Sequence, residues 1–356
     1  MRASLRRTGY VVVVLTGLAL LPPVQARAKA LAVVVEAIGL PFTPRPFAAP
    51  VTRSETTLGG VRGDVYDPGG DAPAILLVHG AALQGKDDPR LVRLAQAVSR
   101  ARRLVFVPAL TLAERRFDAG DIERIVRSGA ALAERVGAPI SVLGISYGGS
   151  FALIAAADER LEDRLEQVAV FGAYYDLRGV IQAVTAGEAL VAGERIPWRG
   201  DPQAIEILER HAVQLAPEEA QARLSAALDG AGDSSALPPD ARAVYELLSN
   251  RDPTRTYELA SRLSPTAREI LERFSPSSVA DRIRVPIVAI HSKDDPAVPY
   301  GEALRLVRAL PDTPLETLGS FRHVDFELGS PRTWGRAAGD LWSTLRFTTW
   351  LLEPAE

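Results

Sequence analysis

The stretch SVLGISYGGSFAL, residues 141–153, places a serine between two glycines where an apolar strand pattern changes to a helix pattern. A serine in such a strand-to-helix turn has a strained backbone and lies at a helix N-terminus, where N–H groups favour an oxyanion. Side chains at Gly144 and Gly148 would collide with neighbouring backbone in this turn. We therefore predict that Ser146 is a nucleophile and not merely a small residue at a tight bend.

Composition limits the classes of function. The 356 residues are 47% hydrophobic, which is enough for a sizeable core. A net charge of -3 gives no sign of a polyanion partner, so we predict that the protein does not bind nucleic acid. The absence of cysteine excludes disulfides, thiolate zinc sites and a cysteine nucleophile. No metal-ligand spacing or Gly-rich phosphate loop occurs, so neither a metal nor a cofactor is predicted.

The N-terminus has the pattern of an export signal. Three arginines precede the apolar run Gly9–Val24, and small residues follow it. Residues 1–28 are predicted to be a signal peptide cleaved after Ala26 or Ala28, or an uncleaved signal anchor that associates with a membrane. Cleavage is the preferred interpretation, and a segment that is neither a signal peptide nor an anchor is the remaining alternative. In the first two cases the protein is exported, to a periplasmic, extracellular or membrane-anchored location. Residues 29–50, which end in a proline-rich run, are predicted to be a linker.

Strand and helix patterns alternate through residues 51–177, which predicts an α/β fold with a mostly parallel sheet covered by helices on both faces. Residues 178–281 show helix patterns only, several with proline at the start. The strand pattern returns in residues 282–356. We therefore predict one α/β core, residues 51–177 and 282–356, with a helical insertion between two late strands.

A serine nucleophile requires a base and an orienting acid. His323 is the preferred base among the four histidines, because it follows the last predicted strand and can reach the sheet edge that carries Ser146. Of the other three, His79 ends an early predicted strand, His211 is predicted to be a surface or cap-packing residue, and His291 is predicted to be structural. The segment HSKDDPAVP, residues 291–299, offers Asp294 and Asp295 as acids, with Asp295 preferred.

Together, His79-Gly80, the turn at Ser146, the segment HSKDDPAVP and the late His323 resemble the α/β-hydrolases of the serine-esterase type. The resemblance covers about residues 50–352 outside the insertion, which it identifies as a lid or cap. In the family's H-G-x-x-D-x-x-V-P pattern the acid falls on Asp295, although this chain has Ser292 where glycine is usual. Some members take the acid from the position of Asp176 instead.

The resemblance implies hydrolysis of a small-molecule carboxylic ester through an acyl-enzyme on Ser146, with His323 as base and Asp295 as orienting acid. The backbone N–H groups of Tyr147 and Ala81 would form the oxyanion hole. A serine peptidase or acyltransferase would use the same catalytic parts, and a catalytically silent envelope protein of this fold is a third possibility.

Overall fold

A central sheet of eight strands organises the computed structural model, which describes residues 22–39, 50–114, 118–319, 321–323, 325–326 and 334–353. Four further strands form two two-stranded sheets, β7-β8 and β11-β12. In chain order the described strands are β1 (Thr52–Leu58), β2 (Val61–Asp67), β3 (Ala74–Val78), β4 (Leu104–Pro108), β5 (Ile140–Ile145), β6 (Leu165–Phe171), β7 (Glu188–Val191), β8 (Glu194–Pro197), β9 (Ile287–Ser292), β10 (Leu315–Leu318), β11 (Phe321–Arg322) and β12 (Asp325–Phe326).

The strands of the central sheet lie in the order β1-β2-β4-β3-β5-β6-β9-β10. Strand β2 pairs antiparallel with β1 and β4, and the remaining neighbours pair parallel. The carboxyl ends of the parallel strands therefore share one edge, where ligand sites of open α/β sheets form. The predicted α/β-hydrolase fold class is confirmed by this mostly parallel sheet and by the helices that cover it.

Twelve helices of the α type are described. They are α1 (Pro22–Ala37), α2 (Pro89–Arg100), α3 (Ala119–Val136), α4 (Tyr147–Ala155), α5 (Leu177–Ala186), α6 (Pro202–Val213), α7 (Glu218–Leu228), α8 (Pro239–Ser249), α9 (Thr256–Ser261), α10 (Pro265–Arg273), α11 (Tyr300–Ala309) and α12 (Trp334–Leu352).

Helices pack on both faces of the sheet, and the side chains of β3 show how. Leu76 and Val78 pack with residues of α3 and α4, whereas Ile75 and Leu77 pack with residues of α1, α2 and α12. All four side chains are buried, because successive residues of a strand point to opposite faces and both faces are covered. The continuous apolar run of β3 has this origin.

Helix α1 corrects the expected domain boundaries. Residues 29–37, assigned to the linker, are helical and continue the helix that begins at Pro22. Ala30 and Val33 are buried in the layer that α1 forms with α2 and α12. The helix also runs through both predicted cleavage positions. The apolar run before Pro22 lies outside the described residues, and within the described ranges no helix is long and apolar enough to cross a membrane.

The chain between β6 and β9 contains helices α5 to α10 and one hairpin. The expectation of helices only was wrong for Glu188–Pro197, where β7 and β8 pair antiparallel. Ala192 and Gly193, between these strands, have φ values of 53° and 87°. Two consecutive positive φ values are typical of a type I′ hairpin turn, for which Asn-Gly is the usual sequence signal. This turn has Ala192 in place of asparagine, so the usual sequence signal is missing.

Candidate active site

Ser146 occupies the turn between β5 and α4. Its φ of 54° and ψ of -130° lie outside the usual regions for a residue with a side chain. Its backbone N–H donates to the carbonyl of Phe171 at the end of β6, at 2.7 Å. Strained backbone of this kind persists only where its surroundings hold it, and it clusters at active sites. The turn thus presents Ser146 at the carboxyl edge of the sheet.

Three glycines permit the close packing around this turn. A Cβ at Gly144 would lie 2.9 Å from the carbonyl oxygen of Gly148, and a Cβ at Gly148 would lie 2.7 Å from the carbonyl carbon of His79. A Cβ at Gly80 would lie 2.9 Å from Cβ of Ser146 itself. The collisions predicted for positions 144 and 148 are therefore confirmed.

His323 and Asp295 form a hydrogen-bonded pair. The Nδ1 atom of His323 lies 2.8 Å from Oδ2 of Asp295. The other carboxylate oxygen, Oδ1, accepts the backbone N–H groups of Ala297 and Val298 at 2.8 and 2.9 Å. Asp295 is buried with 1% of its surface exposed, whereas Asp294 is exposed. The loop after β9 therefore fixes both oxygens of one carboxylate.

The charge of Asp295 depends on its partners. Burial opposes ionisation, but the adjacent imidazole of His323, the nearby His291 and the N–H of Val298 together hold the pKa of Asp295 below its ordinary value. Asp295 is therefore an acceptor near neutral pH and can hold the Nδ1 proton of the imidazole.

Gly172 connects the serine side of the site to the histidine side. It follows Phe171, whose carbonyl accepts the N–H of Ser146, and it has a φ of 65°. A Cβ on Gly172 would lie 3.1 Å from Cε1 of His323 and 3.5 Å from Oδ2 of Asp295. Ser146 and His323 also line the same cavity. The structure thus brings the three predicted catalytic side chains to one place.

The alternative acid, Asp176, has a different set of contacts. It caps α5 by accepting the N–H of Arg178 at 2.9 Å, and its carboxylate pairs with the Arg178 guanidinium at 2.8 Å. His323 is paired with Asp295 instead.

The two residues predicted to form the oxyanion hole come from separate parts of the chain. Tyr147 is the first residue of α4, and Ala81 lies in the loop after β3. Both line the cavity that contains Ser146. This places them at a helix N-terminus and on a loop beside the serine, where backbone N–H groups stabilise a developing negative charge.

The remaining histidines occupy buried positions. His79 Nδ1 lies 2.8 Å from the carbonyl of Gly80, and the ring of His211 lies 5.7 Å from that of Tyr147. His291 Nε2 bonds the carbonyl of Val298 at 3.0 Å and lies 3.5 Å from Oδ2 of Asp295. Burial lowers the pKa of His79 and His291, which favours their neutral forms. Sequence reasoning missed the contact of His291 with the acid.

Sequence reasoning also missed Gly172. Its only sequence signal is a glycine directly after an apolar strand, which many ordinary strand ends share.

Within the described part of the chain, no group of three or more His, Asp or Glu side chains is arranged to hold a metal ion.

No protein-family model matches the chain, and no curated protein matches its sequence. Among solved structures it is similar to a membrane phospholipase A described as a bacterial virulence factor (16% identity, TM-score 0.45, covering 98% of this chain and 99% of that one). It is also similar to 2-hydroxy-6-oxo-6-phenylhexa-2,4-dienoate hydrolase from Rhodococcus sp. strain RHA1 (17% identity, TM-score 0.42, covering 83% of this chain and 100% of that one). An esterase from Pyrococcus furiosus is a third similar structure (13% identity, TM-score 0.41, covering 84% of this chain and 93% of that one). The fold assignment stands on the strand order of this chain.

Proposed function

We propose that this chain of the α/β-hydrolase fold is a serine hydrolase that cleaves carboxylic esters through an acyl-enzyme on Ser146. The observation that carries the proposal is the hydrogen bond between His323 Nδ1 and Asp295 Oδ2 beside a serine in a strained strand-to-helix turn. A nucleophile, a base and a group that orients the base are the requirements of this chemistry.

The reaction has two half-cycles. The Nδ1–H of His323 stays on the ring and is hydrogen-bonded to Asp295. The Nε2 atom then accepts the proton of Ser146 Oγ as that oxygen bonds to the ester carbonyl carbon, and Asp295 stabilises the imidazolium that results. The tetrahedral intermediate collapses, the bond to the alcohol oxygen breaks, and the alcohol leaves with the proton from Nε2. Water then adds to the acyl-enzyme by the same proton transfers and releases the carboxylic acid and Ser146.

The carbonyl oxygen gains negative charge in each half-cycle. We propose that the backbone N–H groups of Tyr147 and Ala81 donate to it, which their positions around Ser146 support. One such donor contributes about 3 kcal/mol to transition-state stabilisation in other serine hydrolases.

A panel of p-nitrophenyl esters, matched anilides and short peptides tests this function. We expect ester hydrolysis that falls by on the order of 10⁴ or more in kcat for Ser146→Ala, with the thermal melting temperature retained. Faster cleavage of amides or transfer of the acyl group to added alcohols would identify a peptidase or an acyltransferase. Ester hydrolysis that Ser146→Ala leaves unchanged would contradict the proposal.

We further propose that the protein is exported and keeps its N-terminal segment as an anchor. Helix α1 supports retention, because Ala26 is buried and the helix continues through both positions considered for cleavage. N-terminal sequencing of protein from the host's envelope should find residues that precede Pro22. A mature chain that begins at Arg27 or Lys29 would contradict retention, and protein found only in the cytoplasm would contradict export.

A further inference from the structure

A cavity of about 750 Å³ extends from Ser146 and His323 into the hydrophobic layer on one face of the sheet. Seven of its lining residues also belong to that layer: Val33, Leu91, Val98, Leu143, Ile290, Phe347 and Leu351. Protein cores contain few voids larger than a water molecule, whereas ligand pockets have volumes of about 300–1,000 Å³. An opening of this size that is continuous with the candidate nucleophile is therefore a binding compartment.

The walls of the compartment indicate the chemistry of its ligand. The seven shared residues are aliphatic or aromatic, and they come from α1, α2, β5, β9 and α12. Three residues with charged side chains also line the cavity: Asp88 and Arg90 pair with each other at 2.8 Å, and Asp201 accepts the N–H of Ala204 at 3.2 Å. A neutral apolar chain satisfies such walls, because each methylene removed from water gains free energy without leaving a polar group unpaired.

Helix α1 forms one of these walls. Val33, Val34 and Ala37 line the cavity from its last turns, and Ile38 lines it directly after the helix. Ion pairs join α1 to its neighbours: Lys29 lies 3.8 Å from Glu353, which follows α12, and Glu36 pairs with Arg100 of α2. Ion pairs thus hold α1 against α2 and against the end of α12, the two other helices that line the compartment.

We propose that this compartment binds the acyl chain of medium- to long-chain aliphatic esters and that α1 sets the longest chain accepted. The inference rests on the proposed ester hydrolysis at Ser146 and adds the substrate class. It also gives the N-terminal helix a role in specificity. Ala37 is the best position for a test, because it is only partly buried and added volume there enters the cavity.

The test compares kcat/KM for p-nitrophenyl butyrate, octanoate and dodecanoate. In the wild type we expect a rise of up to about fourfold for each methylene that enters the compartment. Ala37→Phe should lower the dodecanoate-to-butyrate ratio at least tenfold. Leu31→Phe, which adds a ring on the exposed side of the same helix, should leave the ratio at the wild-type value. Ala37→Leu, a smaller change with the same expected direction, replaces Ala37→Phe if that variant does not fold.

A binding measurement separates this inference from the proposed function. Dodecanoate should bind Ser146→Ala protein in calorimetry, and Ala37→Phe in that background should weaken the binding at least tenfold. Such weakening without any esterase activity in the wild type would support the compartment and contradict the function. Ester hydrolysis whose chain-length ratio is unaffected by Ala37→Phe, or a preference only for long alcohols, would overturn the inference and leave the function standing.

Discussion

His323 and Asp295 are 28 residues apart in the sequence, and their side chains meet at 2.8 Å between Nδ1 and Oδ2. The loop after β9 orients the carboxylate, because two backbone N–H groups already occupy its other oxygen. This arrangement determines which nitrogen of the imidazole carries the proton in the neutral ring. The effect of replacing Asp295 depends on that choice.

Asp295→Asn should lower kcat by roughly 10⁴, with little change in KM or melting temperature. The N–H groups of Ala297 and Val298 require an acceptor, so the amide oxygen must face them and the NH₂ group must face His323. Nδ1 would then become an acceptor, and Nε2 would carry the proton and be unable to accept one from Ser146. Steady-state ester kinetics measure the loss.

Asp176→Asn is the matched control for that substitution. We expect a kcat close to the wild-type value and a loss of stability of at most about 1 kcal/mol, because Asn caps a helix about as well as Asp and only the ion pair with Arg178 is lost. A severe loss of kcat in Asp176→Asn together with near-normal Asp295→Asn would assign the acid to the end of β6.

Gly172→Ala should lower kcat by on the order of 10², because the added methyl displaces His323 from Asp295 and Ser146. The positive φ adds roughly 1–2 kcal/mol of strain, which destabilises the fold. Gly137→Ala separates the two effects, since Gly137 has a φ of 64° and no atom within 4 Å of the added Cβ. This control should lose stability but keep its kcat, and an equal loss of kcat in both variants would refute the steric explanation.

Because of the buried Glu302 of α11, we expect the free energy of unfolding to depend on pH. Glu302 is fully buried, and its Oε2 atom accepts the N–H groups of Tyr175 and Asp176 at 3.1 and 2.7 Å. Burial, opposed by Arg305 and reinforced by the charge of Asp176, raises the pKa of Glu302 from 4.5 to about 7. Between these values the folded state binds more protons than the unfolded state, so the contribution of Glu302 to stability falls as the pH rises.

Urea unfolding of the wild type and Glu302→Gln between pH 4 and pH 8 measures this effect. The stability of the wild type relative to the variant should decline between about pH 4.5 and pH 7 by at most roughly 3 kcal/mol, and then level off. The exposed Glu219→Gln should keep the pH profile of the wild type. A constant difference between the wild type and Glu302→Gln would show that Glu302 does not titrate in this range.

The sequence predicted the α/β architecture because strands buried on both faces, such as β3, produce continuous apolar runs that alternate with helix patterns. It also singled out Ser146 and Asp295, which follow β5 and β9, and His323, which comes after β10 and lies between the short strands β11 and β12. Strands, helices and the loops that follow them depend on short stretches of sequence, and so they can be predicted from local patterns.

Other features depend on contacts between distant segments, which local patterns do not contain. Helix α1 has the composition of an export segment, and its packing on α2 and α12 arises only in the folded chain. The hairpin of β7 and β8 depends on positive φ at Ala192, a residue that rarely adopts it. Gly172 acquires its role through the approach of His323, which comes from a segment about 150 residues later.

Labelling with a fluorophosphonate, followed by peptide mass spectrometry, tests the nucleophile most directly. We predict one adduct on the folded wild-type protein, located on Ser146 in the peptide that follows β5. His323→Ala should label far more slowly, and Ser146→Ala should not be labelled at all. An unmodified Ser146 in folded protein, or an adduct on another residue, would contradict the assignment of Ser146 as the nucleophile.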